Sequence, residues 1–247
     1  MLLKSAARAR VGAEFLGTAG LVAAVVGSGV MAQRLTNDVA VQLLVNAIAT
    51  VAVLGVLISS LGPVSGAHFN PAVTLAQAVR GEHRWSDVGP YVVAQLVGGV
   101  AGTVLANLMF GLPALHWSRH QRSGAGLWLG EVVATAGLVV AIALVREGGD
   151  RASLVVPAWI LGAYFFTSST SFANPAVTLA RTLTDSFAGI APSSAPAFVV
   201  AELLGAAVAL GVVAALARRS AALSAPDPTP YPDPTPHPDP DLDRIAP

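Results

Sequence analysis

The hydrophobic residues of this chain are gathered into six long runs separated by short polar stretches. Each run approaches or exceeds the ~20 apolar residues that an α-helix needs to cross a bilayer. The pattern therefore predicts an all-α membrane protein with six transmembrane helices behind a short N-terminal segment, residues 1–10. The predicted spans are residues 11–32, 39–61, 88–110, 126–146, 153–171 and 196–217.

The two ends of the chain differ from these runs. Residues 219–247 are rich in Pro and Asp, most densely from Pro226 onward, and closely spaced prolines disfavour both helices and sheets. We therefore expect a disordered tail behind a membrane domain of residues 11–218. Basic residues, beginning with Lys4 and Arg8, are more numerous on the side of the two termini. The positive-inside rule then predicts cytoplasmic termini for a multi-pass protein of the plasma membrane.

Composition agrees with a membrane domain and excludes several classes of function. Hydrophobic residues make up 54% of the chain and charged residues 11%, against roughly 25% charged in soluble domains. The 14 basic and 14 acidic residues balance, which argues against a nucleic-acid partner. There is no cysteine, and the five histidines have no metal-binding spacing. We therefore expect neither a metal nor a cofactor, and no enzymatic chemistry.

The chain contains an internal repeat. Residues 70–76, with the sequence NPAVTLA, recur identically at 174–180. Other matches follow the same order, so that two units cover about 11–110 and 126–217. The matching polar positions are Asn70 and Asn174, Glu14 and Glu131, and Gln95 and Glu202. Because each unit has three spans, an odd number, the second unit must be inverted, and inverted repeats place a pathway near the membrane midplane.

Each repeated heptad predicts a helix that does not cross the membrane alone. A helix from Asn70 to Arg80 would be ~16 Å long, about half the hydrocarbon core. Asn is a preferred N-cap and Pro suits the first helical position, so inversion brings two helix N-termini together. The asparagine NH₂ groups would be free to meet a neutral hydroxylated solute, while the positive helix ends repel cations. The predicted midplane residues are Asn70, Pro71, Ala72, Asn174, Pro175 and Ala176.

These motifs carry a family resemblance. The two Asn-Pro-Ala segments, together with residues 65–74 (SGAHFNPAVT) and 13–18 (AEFLGT), resemble the aquaporin and aquaglyceroporin, or major intrinsic protein, family. The likeness covers roughly residues 11–217. It implies a homotetramer with one pore per subunit, which passes water or small neutral solutes passively.

The sequence departs from the family at the outer selectivity filter. The family usually carries Arg directly after the second Asn-Pro-Ala, where this chain has Val177. Counting from each asparagine without gaps places Thr50, Gly162 and Ser171 at the other three walls. These four residues have no aromatic ring and no charge, which implies a wide filter whose cation exclusion depends mostly on the helix ends. Bacterial family members linked to arsenic resistance resemble this pattern.

Other polar residues are expected to support or line the pathway. Glu14 and Glu131 would accept hydrogen bonds from the backbone of the re-entrant loops, as would the mated pair Gln95 and Glu202. We expect His68 either to line the inner half of the pore or to cap a loop carbonyl. Arg181 has two interpretations: a charge in the outer mouth, or a side chain that reaches the lipid headgroups.

The sequence thus predicts a passive channel for small neutral hydroxylated solutes, with metalloid acids such as arsenite and glycerol-like polyols weighted highest, and some water. A mainly water-selective aquaporin is the alternative within the family. A secondary transporter with inverted repeats and a structural membrane protein with a closed pore are the alternatives from other classes.

Overall fold

The computed structural model describes residues 2–145 and 151–223, with side chains for residues 6–145 and 151–219. Helices and loops make up these ranges, and they contain no strand. A single 3₁₀ turn, Arg181–Leu183, follows α7 directly. The helices are α1 (Leu2–Leu35), α2 (Val39–Ser65), α3 (Pro71–Val79), α4 (Trp85–Met109), α5 (Ala125–Val145), α6 (Ala152–Phe166), α7 (Pro175–Ala180) and α8 (Ala195–Leu223).

The predicted architecture of six spans and two half-helices is confirmed. Helices α1, α2, α4, α5 and α8 are long and apolar enough to cross a bilayer, while α6 is an apolar helix of 15 residues. Helices α3 and α7 occupy the two repeated heptads, at the places where the sequence predicts half-helices.

The prediction that the fifth span extends from 153 to 171 is wrong at its end. Helix α6 stops at Phe166, and residues 167–174 turn back toward α7. The cause is a polar stretch, in which the Thr167 hydroxyl donates to the Ala163 carbonyl at 2.7 Å. Short hydroxyl side chains of this kind compete with the helical backbone hydrogen bonds. The apolar run therefore combines a short helix with the start of a re-entrant loop.

Both ends of the membrane domain extend further than predicted. Helix α1 begins at Leu2, so the segment 1–10 is helical almost throughout, because it contains no helix-breaking residue. Helix α8 continues to Leu223, and so the first residues of the predicted tail are helical as well. The remainder of the tail, 224–247, lies outside the described residues. One compact unit ends at Val213, and the last turns of α8 belong to a second unit.

Glycines allow the first and last spans of each repeat to approach closely. A Cβ atom on Gly98 of α4 would lie 2.5 Å from the Phe15 carbonyl oxygen of α1. At the matching position, a Cβ on Gly205 of α8 would lie 2.6 Å from the Val132 carbonyl oxygen of α5. Neither site accepts a larger residue without movement of the backbone. The two repeats are therefore packed by the same rule, with the half-helices held among the long spans.

Candidate functional site

The two Asn-Pro-Ala motifs begin their half-helices in the same way. The Asn70 side-chain oxygen accepts from the Ala72 backbone N–H at 2.9 Å. The Asn174 oxygen accepts from Ala176 at 3.0 Å and from Val177 at 3.3 Å. Both asparagines have extended backbone and are followed by Pro at the first helical position. Each asparagine is thus an N-cap of its half-helix.

The asparagine amides also join the two repeats, which the sequence did not predict. Asn70 Nδ2 donates to the Ala173 carbonyl at 2.6 Å, and Asn174 Nδ2 donates to the Phe69 carbonyl at 2.8 Å. The expectation that both NH₂ groups are wholly free is therefore wrong. An amide nitrogen has two hydrogens, and so each asparagine keeps one N–H for the cavity that both side chains line.

The loops that precede the half-helices share an unusual backbone. Phe69 and Ala67 have positive φ angles of 50°, and their repeat mates Ala173 and Ser171 have φ angles of 49° and 53°. Non-glycine residues rarely adopt this left-handed region and need support from their surroundings. The same offset of 104 positions, from 69 to 173 and from 67 to 171, shows that the repeat extends to the backbone conformation.

Buried glutamates support these loops. Glu14 accepts from the backbone N–H groups of His68 at 3.0 Å and Phe69 at 2.7 Å. Glu131 accepts from the mates of those groups, Phe172 at 2.9 Å and Ala173 at 2.7 Å. Both carboxylates are fully buried. They satisfy loop N–H groups that have no helical or strand partner.

The second mated pair differs between the repeats. Gln95 Nε2 donates to Glu14 at 2.8 Å and to the Thr74 hydroxyl at 2.9 Å. At the matching position, Glu202 Oε1 accepts from the Thr178 hydroxyl, while its Oε2 is buried and has no hydrogen-bond partner among the described residues. A donor in the first repeat is thus replaced by an acceptor in the second.

A cavity of about 110 Å³ runs along the two asparagines, between the repeats. Most of the lining side chains are apolar, and they come largely from matched positions of the two units. The asparagines and the re-entrant loops also line the cavity, with His68 and Gln77 from the first repeat and Arg181 from the second. The apolar lining side chains include Leu21, Val25, Leu54, Ile58, Val73, Leu138, Ile142, Val156, Ile160 and Val177.

Three of the four predicted filter residues lie on this cavity. Thr50, Ser171 and Val177 are buried and line it. Gly162 is exposed and is not among the described residues that line the cavity, so its prediction is corrected. On α6 it lies two residues from Tyr164, about 200° around the helix. The gapless count of twelve residues back from Asn174 goes two residues past Tyr164 on the lining face, because the polar stretch after Phe166 sets the loop length.

Tyr164 occupies the place predicted for Gly162. Its side chain is 3% exposed and lines the cavity, and its hydroxyl donates to the Thr50 hydroxyl at 3.3 Å. Tyr164 therefore adds an aromatic ring to the cavity, for which the four predicted filter residues supply none. The i, i+4 spacing of Val156, Ile160 and Tyr164 was the signal in the sequence that identifies this face.

Arg181 lies in the cavity wall, and so the alternative that it reaches the headgroups is wrong. The side chain is 2% exposed, and its Nε donates to the Ala188 carbonyl. The guanidinium carbon lies 3.4 Å from the centroid of the Phe172 ring, a close cation–π contact. The structure thus agrees with the other interpretation, in which Arg181 adds a charge to the pathway, since Arg181 and Val177 line the same cavity.

His68 lines the cavity at the opposite end. Its Nδ1 lies 3.1 Å from the Thr74 hydroxyl. The ring packs against His83 and Tyr91, with centroid distances of 4.9 Å and 5.5 Å. Of the two interpretations of His68, the structure thus agrees with a residue that lines the pathway.

Paired half-helices, capped by asparagines that meet at the centre of a helical membrane bundle, define a channel of the aquaporin class. The sequence matches the profile of the major intrinsic protein family over residues 2–168, and the chain belongs to this family. It is therefore a passive channel and not an enzyme.

Individual relatives agree with this class. The chain is 54% identical over 202 residues to the aquaglyceroporin AqpS of Rhizobium meliloti (strain 1021), covering 81% of this chain and 87% of the relative. It is 33% identical over 124 residues to the glycerol uptake facilitator protein-like 5 of Lactiplantibacillus plantarum, which covers 47% of this chain and 46% of that protein. The X-ray structure of the aquaglyceroporin from Plasmodium falciparum has the same fold, with a TM-score of 0.70 at 21% identity over 88% of this chain and 100% of that chain.

Proposed function

We propose that this channel passes small neutral hydroxylated solutes, chiefly metalloid acids such as arsenite and glycerol-like polyols, together with some water. The observation that carries the proposal is a cavity with a mostly apolar lining that carries a few hydrogen-bonding groups, namely the asparagines and the hydroxyls of Thr50, Tyr164 and Ser171. A polyol has a carbon skeleton and several hydroxyls, and undissociated arsenious acid is a neutral trihydroxy species of similar size. Both suit a mostly apolar pathway with a small number of polar groups.

The polar residues that line the cavity supply both kinds of hydrogen-bonding group. Asn70 and Asn174 each keep one N–H to donate. Thr50, Tyr164 and Ser171 add hydroxyls, which both donate and accept. A solute with several hydroxyls can exchange water for these groups as it moves, and so its passage needs no energy source. The names of the relatives, an aquaglyceroporin and a glycerol uptake facilitator-like protein, support glycerol among these solutes.

Val177 favours these solutes over a pathway for water alone. It places an apolar side chain directly after the second motif, beside the hydroxyls of Thr50 and Ser171. Tyr164 and Arg181 add bulk and polarity nearby, and so we expect a measurable water flux beside the solute flux. We further propose a homotetramer in the plasma membrane with both termini in the cytoplasm.

Flux measurements on the purified protein in liposomes test the proposal. We expect entry of arsenite and glycerol well above that of empty liposomes, linear in solute concentration and independent of ion gradients. Val177→Arg should lower solute flux relative to water flux, because a guanidinium adds bulk and charge where the cavity now has a valine side chain. Val177→Leu, which changes shape without charge, is the matched control.

Each contrary result identifies an alternative. Fast water with slow solutes would make the protein a water-selective aquaporin. Saturation or dependence on an ion gradient would favour a transporter, and no flux from folded protein would favour a closed structural role. Unchanged fluxes in Val177→Arg would exclude Val177 from the filter.

A further inference from the structure

We propose that Arg181 is the residue that excludes cations from this channel, acting from one helical turn beyond the position next to the second motif. The inference deepens the proposed function, since it names the group that restricts the pathway to neutral solutes. It rests on three observations: the place of Arg181 in the wall, its difference from its repeat mate, and its contrast with a nearby arginine.

Arg181 is fixed in the cavity wall. It follows Val177 by four residues across α7 and the 3₁₀ turn, and so the two side chains share a face. The Ala188 carbonyl and the Phe172 ring hold the guanidinium in place. A guanidinium stays protonated, and a fixed charge in a cavity of low dielectric constant acts on a passing ion much more strongly than it would in water. A neutral solute meets no such barrier.

The repeat mate of Arg181 shows that the fold does not require this charge. Gln77, 104 positions earlier, also lines the cavity and is also buried. It is a neutral amide, whose oxygen accepts from Arg80 at 3.0 Å. The same structural position therefore carries a neutral side chain at one end and a cation at the other. A charge that the half-helix does not need for folding is a candidate for selectivity.

A comparison with Arg122 distinguishes the charge of Arg181 from its structural support of the neighbouring loop. Its guanidinium contacts the same Phe172 ring at 5.2 Å, and it donates to the carbonyls of Gly189 at 2.9 Å and Phe187 at 3.2 Å. Arg122 and Arg181 thus both hold the loop around residues 187–189. Of the two, Arg181 belongs to the described residues that line the cavity and Arg122 does not. Loss of either weakens the loop, but only loss of Arg181 removes a charge from among the described residues that line the cavity.

The experiment measures ion leak through liposomes that contain wild type, Arg181→Gln, Arg181→Lys or Arg122→Gln, with glycerol flux measured in parallel. Arg181→Gln copies the repeat mate, and we expect proton and potassium leak to rise about tenfold. We expect Arg181→Lys and Arg122→Gln to stay near the wild-type leak. No increase in Arg181→Gln would show that the helix ends suffice, and an equal increase in Arg122→Gln would reduce Arg181 to loop support. Either result overturns the proposal.

The absence of cysteine from the sequence allows a second test that does not depend on side-chain size. Arg181→Cys should leak, and a cationic aminoethyl methanethiosulfonate should reduce the leak, whereas the neutral propyl methanethiosulfonate, which attaches a group of nearly the same size, should not. Equal effects of the two reagents, or a thiol that mass spectrometry finds unmodified, would overturn the proposal. Ion leak and solute flux are separate readouts. A wild type that passes neither arsenite nor glycerol would refute the proposed function, while the leak comparison would still decide the role of Arg181.

Discussion

The two halves of the pathway share a backbone but differ in chemistry. Asn70 and Asn174 cap their helices and cross-link the loops in the same manner, and Glu14 and Glu131 bind equivalent backbone N–H groups. The side chains at the two ends of the cavity do not match. The end that carries His68 and Gln77 in the first repeat carries Phe172 and Arg181 in the second.

This difference separates what the fold needs from what the pathway does. Positions that satisfy buried backbone groups are equivalent in both repeats, because an unpaired N–H inside a membrane is costly wherever it lies. The positions at the two ends of the cavity, His68 and Gln77 against Phe172 and Arg181, carry no such constraint, and they differ between the repeats. The comparison predicts that a substitution at a matched polar position lowers the stability of the protein in whichever repeat it is made. A substitution at an unmatched position should change the properties of one end of the cavity alone.

The largest effect should come from the two loop-supporting glutamates. Glu14→Ala and Glu131→Ala should each destabilise the protein by roughly 3–5 kcal/mol, because each leaves several buried donors unpaired. Glu14 also accepts from Ser65 at 2.7 Å, as Glu131 does from its mate Ser169. Gln95 adds a further bond in the first repeat alone. Thermal unfolding in detergent should therefore show Glu14→Ala as the more damaging variant, and a larger effect at Glu131 would contradict the comparison.

A smaller and opposite pair of effects is expected at Gln95 and Glu202. Gln95→Glu replaces the donor to Glu14 by an acceptor and sets two carboxylates about one hydrogen bond apart, which should cost roughly 2–4 kcal/mol. Glu202→Gln keeps an oxygen for Thr178 and removes the negative charge of a fully buried side chain, which is costly to hold away from water. It should be neutral or stabilising. Thermal unfolding of the two variants checks this, and a strong loss in Glu202→Gln would show that the acid itself is required.

Much of this architecture follows from the sequence. The six runs, the duplicated heptad and the N-cap preference of Asn predict the spans, the inversion and the start of each half-helix, because hydropathy and capping are local properties. The roles of Glu14 and Glu131 follow from their matched positions and from the need to satisfy loop backbone. These inferences require no knowledge of loop length.

The remaining features depend on contacts between distant residues. Gly162 was chosen by counting along the chain, but the polar turn after Phe166 shifts the lining face to Tyr164. The cross-links from Asn70 to Ala173 and from Asn174 to Phe69 join residues more than 100 positions apart. The contact of Arg181 with Ala188 depends on how the following loop folds back. Sequence periodicity does not predict contacts of this kind, which depend on how a loop folds back onto distant parts of the chain.

The smallest predicted effect concerns His83, in the loop between α3 and α4 of the first repeat. Its ring packs against His68 and Tyr91, at centroid distances of 4.9 Å and 4.5 Å, and its buried Nε2 has no hydrogen-bond partner within the described part of the chain. Loss of water around the ring lowers the pKa of His83 from its ordinary value of 6.5, although Asp87 opposes this shift. The mated position in the second repeat is Phe187, which does not titrate.

The sign of the pH effect follows from this lowered pKa. The unfolded chain takes up a proton near pH 6.5 and the folded protein does so at a lower pH, so stability falls as the pH drops from 6.5 toward the folded value. The thermal midpoint should therefore fall between about pH 7.5 and about pH 5.5 by more in wild type than in His83→Gln. The same substitution at His116, an exposed histidine in the loop after α4, is the control. An equal fall in wild type and His83→Gln would mean that the ring cluster beside His68 does not sense pH, and that the unmatched ends of the cavity differ in solute contacts alone.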